Sequence, residues 1–239
     1  MGAQARARPA RAAGPGQRAP GRMSTPRFRS VIFDADSTLA AIEGIDWLGE
    51  RRDAAIAREV ARLTAEAMDG RMSVDAVYAP RLSTIAPTAA ELDALGAAYV
   101  AAMVPHARET VAALHAARVR VVIVSGGLYP ALLPMAAQLG IAPDDVHAVH
   151  VRPGASGAYT EFDGEQLLAT QRGKPTVVAA LQLPQPILAV GDGITDAALR
   201  GVDGATFVAY TGVVRRDAVV AAADHVIDSL DAVLPLVFA

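Results

Sequence analysis

The ordered pattern of this chain opens with the apolar run Val31, Ile32 and Phe33, which ends in the polar group Asp34, Ala35, Asp36, Ser37 and Thr38. A short apolar run closed by turn formers reads as a parallel strand buried on both faces. Residues 40–103 then show helical spacing and no strand signal. Ile56, Val60, Leu63 and Met68 recur on one face until Gly70 interrupts. Val74, Val77 and Tyr78 begin another apolar face, expected to close at Pro80 or Pro87. Thr88 and Glu91 have the spacing of a capping box ahead of Leu92, Leu95, Tyr99 and Met103.

From residue 104 the pattern alternates. A helix with Thr110, Val111 and Leu114 leads to a second buried strand over 119–124, which ends at Ser125, Gly126 and Gly127. A helix over 130–139, a third strand over 146–151 and an edge hairpin around 159–162 follow. Gly173, Lys174 and Pro175 open another helix, with proline in the first turn where its missing N–H does no harm. A fourth strand over 187–190 ends at Gly191, Asp192 and Gly193. A helix from Thr195, a strand over 205–209, a helix from Val214, a strand over 225–227 and a terminal helix complete the chain. Alternation of this kind predicts an α/β fold: a doubly wound parallel sheet (a Rossmann-like core) with a small helical cap inserted after the first strand. The expected divisions are a disordered Arg/Ala/Pro-rich tail over 1–28, a catalytic core over 29–40 and 104–239, and the cap over 41–103.

Composition changes this picture in three ways. Aromatic residues are only 5% of the 239, so the core rests on Val, Leu and Ile. Cysteine is absent, which excludes disulfides and thiolate metal sites and fits a reducing, cytoplasmic setting. No apolar run approaches the roughly 18 residues of a spanning helix, so no membrane partner is expected. Charge is uneven. Seven arginines (6, 8, 11, 18, 22, 27 and 29) precede the first acid, and without them the net charge of −3 becomes −10. An acidic body argues against a nucleic-acid partner, and it can take a phosphorylated ligand only with a metal and local cations. The tail is Arg-rich and acid-free, as transit peptides are, but Pro9, Pro15 and Pro20 would break an amphipathic helix. Met23 offers an alternative start.

Four segments place polar residues just after a strand or at a helix start: Asp34 with Asp36, Ser125-Gly126-Gly127, Gly173-Lys174, and Gly191 to Asp196. In a doubly wound sheet, successive strand ends converge on one edge. On an extended backbone Asp34 and Asp36 share a side, and one of two buried neighbouring carboxylates has a raised pKa. That suits one as nucleophile and the other as proton carrier. Ser125 offers a hydroxyl, Gly126 and Gly127 admit an anion close to the backbone, and Lys174 offers a positive charge. Asp192 and Asp196, with Asp34, suit a hard Mg2+. Taken singly, each segment also reads as punctuation: a solvated Asx turn, a glycine turn, a tight loop.

In this order the segments resemble the four motifs of the haloacid dehalogenase superfamily, in its aspartyl-phosphate phosphatase branch, over residue 28 to the C-terminus. Asp34-Ala35-Asp36-Ser37-Thr38-Leu39 followed by Glu43-Gly44-Ile45-Asp46 is similar to the phosphoserine phosphatase family. Ala67 to Gly70 and Arg81-Leu82 fall where that family has cap residues. The resemblance implies Mg2+-dependent hydrolysis of O-phosphoserine to serine and phosphate, a step of serine biosynthesis. It implies Asp34 as nucleophile and Asp36 as acid and base. The metal would be held by Asp34, the Asp36 main-chain carbonyl and Asp192, with Asp196 in support. Ser125, Gly126 and Lys174 would hold the phosphoryl oxygens, Glu43 the substrate ammonium and Arg81 its carboxylate, with Thr195 also at the substrate. The family's aromatic ring near Val74 and Met near Leu63 are replaced by smaller side chains, which predicts a wider pocket. Hence two alternatives: another small phosphorylated metabolite, or phosphoryl transfer to an acceptor other than water. A non-catalytic binder on the same fold is a third. Glu43 and Arg81 also fit plain surface charge on a helical module. Arg215 or Arg216 is expected to close on the site or to cap a helix. Trp47 is expected to pack the cap hinge. The five histidines show no ligand spacing.

Overall fold

Ser30, Val31, Ile32 and Phe33 form strand β1 (Ser30–Phe33), and all four are buried. A strand without polar alternation must be covered on both faces. It is also paired on both edges, in parallel with β2 (Arg120–Leu128) and with β6 (Ile187–Gly191). These elements belong to a computed structural model that describes residues 25–238. The expected tail over 1–28 therefore lies outside the described residues, apart from its last four. Of those, Phe28 is buried and the Arg27 N–H donates to the Val237 carbonyl at 2.8 Å.

Among the described residues the main sheet has six parallel strands in the order β3-β2-β1-β6-β7-β8, with β3 (Val146–Val149), β7 (Ala205–Tyr210) and β8 (His225–Ile227). The chain winds outward from β1 to β3 on one side and from β6 to β8 on the other. The reversal falls between β1 and β6, and the crevice at their carboxyl ends is where such sheets take ligands. The doubly wound α/β class read from the sequence is the one found.

Between β1 and helix α5 (Ala107–Ala116) the chain forms α1 (Gly44–Gly49), α2 (Ala54–Met68), α3 (Val74–Ile85) and α4 (Ala89–Ala101). Asp53 starts α2 by accepting from the N–H groups of Ala55 and Ile56, both at 2.9 Å. Thr88 and Glu91 start α4 with the predicted reciprocal capping box. Pro80 does not close α3. It lies on the exposed face, where the Ala76 carbonyl it leaves unpaired is open to water. The helix ends at Ala86, whose φ of 46° is left-handed, one residue before Pro87. Helix α4 packs on α6 (Tyr129–Gln138). Leu48, Val60, Leu82 and Tyr99 share one continuous core with Phe33 and Phe207.

Two strand expectations are corrected. β2 does not stop before Ser125. It runs through Gly126 and Gly127 to Leu128, with its register to β3 shifting between Val124 and Leu128. The glycines here serve close approach rather than a turn. The run over 146–151 is two strands. At His150 the N–H goes to Gln166 Oε1 at 2.7 Å instead of to the ladder. The chain then leaves as β4 (Val151–Pro153), which pairs antiparallel with β5 (Tyr159–Phe162) in a separate hairpin. That hairpin leans on α3: the Tyr159 N–H donates to the Pro87 carbonyl at 2.8 Å, and the Phe162 ring lies 5.8 Å from Tyr78. The remaining helices are α7 (Gly173–Leu181), α8 (Ile194–Ala197), α9 (Asp217–Ala222) and α10 (Val233–Phe238). Among the described residues no helix is long and apolar enough to cross a membrane.

Candidate active site

Asp34 stands at the end of β1, its N–H bonded to the Val190 carbonyl of β6 at 3.0 Å, and Asp192 stands just past β6. Asp196 arrives from the first turn of α8, where its Oδ2 accepts from the Gly193 N–H at 3.0 Å. A Cβ at Gly191 would lie 2.2 Å from the Asp196 Cγ, so only glycine lets that turn close on the strand end. One oxygen from each of Asp34, Asp192 and Asp196 lies within 4.8 Å of the others, and all three residues are buried.

Buried carboxylates need counter-charge. Lys174, on the first turn of α7, supplies it with Nζ 2.8 Å from Asp34 Oδ2 and 2.6 Å from Asp196 Oδ1. Arg216 supplies the rest, with Nη1 donating to Asp192 Oδ2 and Nη2 3.6 Å from Glu43 Oε1. Thr38 donates to Asp192 Oδ1 at 3.1 Å. Three carboxylates against two cations leave an excess negative charge. Burial, and then the charge of Asp34, push the Asp196 carboxyl up to about 7, although Lys174 pulls it back. Burial pulls Lys174 down, but Asp196 and Asp34 together hold it above its ordinary value. An all-oxygen, buried, negatively charged donor set fits a hard divalent cation.

Asp36 stands outside this cluster of three carboxylates. Its Oδ1 accepts from the Gly44 N–H at 2.9 Å and from the Tyr99 hydroxyl at 2.6 Å. Burial, then the charges of Glu43 and Asp34, hold its carboxyl well above the usual range. Both Asp34 and Asp36 face one cavity, with Lys174, Asp192, Thr195 and Gly126 on the sheet side and Glu43, Thr64, Met68, Val74, Tyr78 and Arg81 on the helical side. Ser125 is fully buried, and its Oγ accepts from the Gly127 N–H at 3.1 Å.

Glu43 and Arg81 are therefore not solvated surface charges. Ser37 donates to Glu43 Oε1 at 2.7 Å, and burial raises the Glu43 carboxyl. Arg81 is 4% exposed, donates to Thr64 Oγ1, and is lowered by burial. Thr64 in turn donates to Asp46. Of the two cap positions expected to widen the pocket, Val74 lines the cavity, whereas Leu63 lines a separate groove with Ile56, Pro80 and Thr84. Tyr78 lines the cavity together with Val74, and its hydroxyl donates across to the Gly126 carbonyl at 2.6 Å. Of the two arginines, Arg216 enters the site, and Arg215 is exposed, with Asp217 at 3.4 Å. Trp47 is partly buried against the core, with the Arg51 guanidinium over its ring.

Tyr78, Tyr99, Thr64 and Asp46 had no chemical assignment from sequence. Both tyrosines fit the apolar period of their helices, which hides a hydroxyl at the ring's end.

The model of the haloacid dehalogenase-like hydrolase family matches residues 31–199. The chloroplastic phosphoserine phosphatase of Arabidopsis thaliana is 33% identical over 209 residues, which cover 86% of this chain and 70% of that one. The phosphoserine phosphatase of Halobacterium salinarum is 32% identical over 208 residues, covering 84% of this chain and 93% of that one. Among solved structures, a phosphoserine phosphohydrolase-like protein from Francisella tularensis superposes with a TM-score of 0.80 at 25% identity, covering 87% of this chain and 99% of that one.

Proposed function

The chain belongs to the haloacid dehalogenase-like hydrolase family, in its phosphoserine phosphatase branch, and from that premise we propose that it converts O-phosphoserine and water to serine and phosphate. It is a phosphoric monoester hydrolase. The observation that carries the substrate reading is the cavity itself. It joins a phosphoryl-handling end, Asp34, Asp36 and Lys174, to a partly buried anion, Glu43, and a buried cation, Arg81. A zwitterion entering a dry pocket needs one of each.

The steps follow from the chain's own groups. The Asp34 carboxylate attacks phosphorus while the bond from phosphorus to the seryl oxygen breaks, and Asp36 gives its proton to that oxygen. Serine leaves, and Asp34 holds the phosphoryl group as an acyl phosphate. Asp36, now ionised, takes a proton from a water that attacks phosphorus, and the bond to Asp34 breaks. Phosphate leaves with both carboxyls restored. Lys174, Ser125 and Gly126 hold the phosphoryl oxygens, Glu43 the ammonium, and Arg81 the carboxylate, with Thr195 beside the substrate. The Asp34 and Asp192 carboxylates and the Asp36 main-chain carbonyl, with Asp196 in support, would hold a divalent cation, which we take to be Mg2+ and which would supply positive charge to the phosphoryl oxygens. Residues 41–103 act as the cap over a core of 29–40 and 104–239, and exclude bulk water from the acyl phosphate. We place the reaction in the cytoplasm, a setting that suits a chain without cysteine.

A substrate panel tests the assignment. Phosphate release from O-phosphoserine is expected to exceed that from phosphosugars and nucleotides, and equal turnover of the sugars would reject it. Arg81→Ala is expected to cut kcat/KM by about 10- to 100-fold on carboxylate-bearing substrates, the worth of a charged hydrogen bond, and to leave carboxylate-free ones nearly unaffected. Exhaustive dialysis against EDTA is expected to abolish turnover and lower the melting temperature, and Mg2+ to restore both. Full activity after chelation would count against the metal.

A further inference from the structure

Tyr99 comes from α4, is fully buried, and reaches a residue 63 positions earlier in the chain. Its hydroxyl and the Gly44 N–H both donate to Asp36 Oδ1, at 2.6 and 2.9 Å. A carboxylate oxygen has two in-plane lone pairs, and both on Oδ1 are engaged. Oδ2 has no hydrogen-bond partner among the described residues. It lies beside Gly127, where a Cβ would come 3.4 Å from it, and Asp36 lines the cavity shared with Asp34 and Lys174. The slot is shaped around the phenol: a Cβ on Gly44 would lie 2.1 Å from the Tyr99 oxygen, and one on Gly127 3.3 Å from it.

We propose that Tyr99 is a positioning residue which, with the Gly44 N–H, occupies Asp36 Oδ1 and thereby makes Oδ2 the oxygen that gives and takes the proton. An aspartate carboxyl otherwise turns in a broad, two-fold torsional well and offers either oxygen. Fixing the ring of donors behind it turns one oxygen to the substrate in both half-reactions, first to protonate the seryl oxygen and then to accept a proton from water. Tyr99 touches no reacting atom and acts only through Asp36. The inference rests on the phosphatase reading above.

Tyr99→Phe keeps the ring and its packing. Its kcat on O-phosphoserine is expected to fall about 10- to 100-fold, the worth of a hydrogen bond to a charged group, with KM changed less than about twofold. Thermal stabilisation by Mg2+ and beryllium fluoride is expected to stay, because that adduct on Asp34 needs no proton from Asp36. In an Asp36→Asn background the same substitution is expected to cause no further loss, since the two act as one unit. Unchanged kcat in Tyr99→Phe, an equal loss added on top of Asp36→Asn, or loss of beryllium fluoride stabilisation would each overturn the proposal, the last two by showing a general structural role. A wild-type protein idle on phosphoserine but active on another member of the panel counts against the substrate assignment alone, and the comparison is then made on that substrate. A wild-type protein that turns over nothing overturns both.

Discussion

Asp34→Asn is expected to lower kcat on O-phosphoserine by at least about 10⁴-fold, the scale seen when a nucleophile that acts within a unit is removed. The amide has the shape of the carboxylate but cannot form the acyl phosphate. The protein itself should not suffer. Asp34 is a buried negative charge close to Asp192 and Asp196, and Lys174 keeps Asp196 at 2.6 Å when Asp34 is neutral. The melting temperature of the metal-free variant is therefore expected to equal or exceed that of the parent, because like-charge repulsion falls. Mg2+ with beryllium fluoride, which stabilises the parent, should leave the variant unchanged. Retained turnover in a folded Asp34→Asn protein would remove the covalent route altogether.

Lys174→Met is expected to cost both stability and rate. The ammonium is 2.8 Å from Asp34 Oδ2 and 2.6 Å from Asp196 Oδ1, with its side chain 5% exposed. Methionine keeps much of the apolar stem and removes the charge. Breaking a buried pair from one side costs about 3–5 kcal/mol, because the partner stays buried and uncompensated. The deficit should depend on pH in a defined direction. The Asp196 carboxyl already sits at about 7 with Lys174 present, raised by burial and by Asp34. Removing the lysine raises it further. A carboxyl whose folded pKa lies above its unfolded value weakens the fold as pH rises above the unfolded value, and this cost is relieved as pH falls below the folded one. In chelator, urea unfolding is thus expected to show a larger gap between parent and variant at pH 8 than at pH 5. Mg2+ should narrow the gap at pH 8 by supplying the missing positive charge. The rate on phosphoserine should fall about 10²- to 10³-fold even with Mg2+, as for loss of one preorganised electrostatic contact to the transferring group. A gap independent of pH would show that Lys174 is held by its packing alone.

Much of this molecule was legible along the chain because the relevant signals are short-ranged. Val31 to Phe33 running into Asp34, the capping box of Thr88 and Glu91, and Gly173-Lys174-Pro175 at a helix start are all set by neighbours a few residues apart. Period and turn chemistry report local backbone preference. The alternation of strands and helices then leaves few topologies, and in a doubly wound sheet the strand ends must meet at one edge. Hence Asp34, Lys174, Asp192 and Asp196 came together as expected.

Local signals failed where a residue's surroundings are supplied from far away. Nothing near residue 150 says that its N–H will leave the ladder for Gln166. Pro80 was readable as a helix stop only until its face was known to be exposed. Arg215 and Arg216 are indistinguishable as neighbours, and only the path from β7 into α9 turns the second one toward Asp192. Tyr78 and Tyr99 sit at apolar positions of their helices, so their hydroxyls carried no periodic signal.

The sequence by itself determined the order of elements, the fold class, and which charged residues would gather at the sheet's edge, because those follow from local periodicity and from the fixed hand of strand connections. Only the tertiary structure decided which oxygen of Asp36 is free, which arginine faces the acids, and which tyrosine reaches from the cap to the Gly126 carbonyl. Those outcomes depend on how helices from one segment pack over strand ends from another, and close packing over such distances is set by the whole core at once.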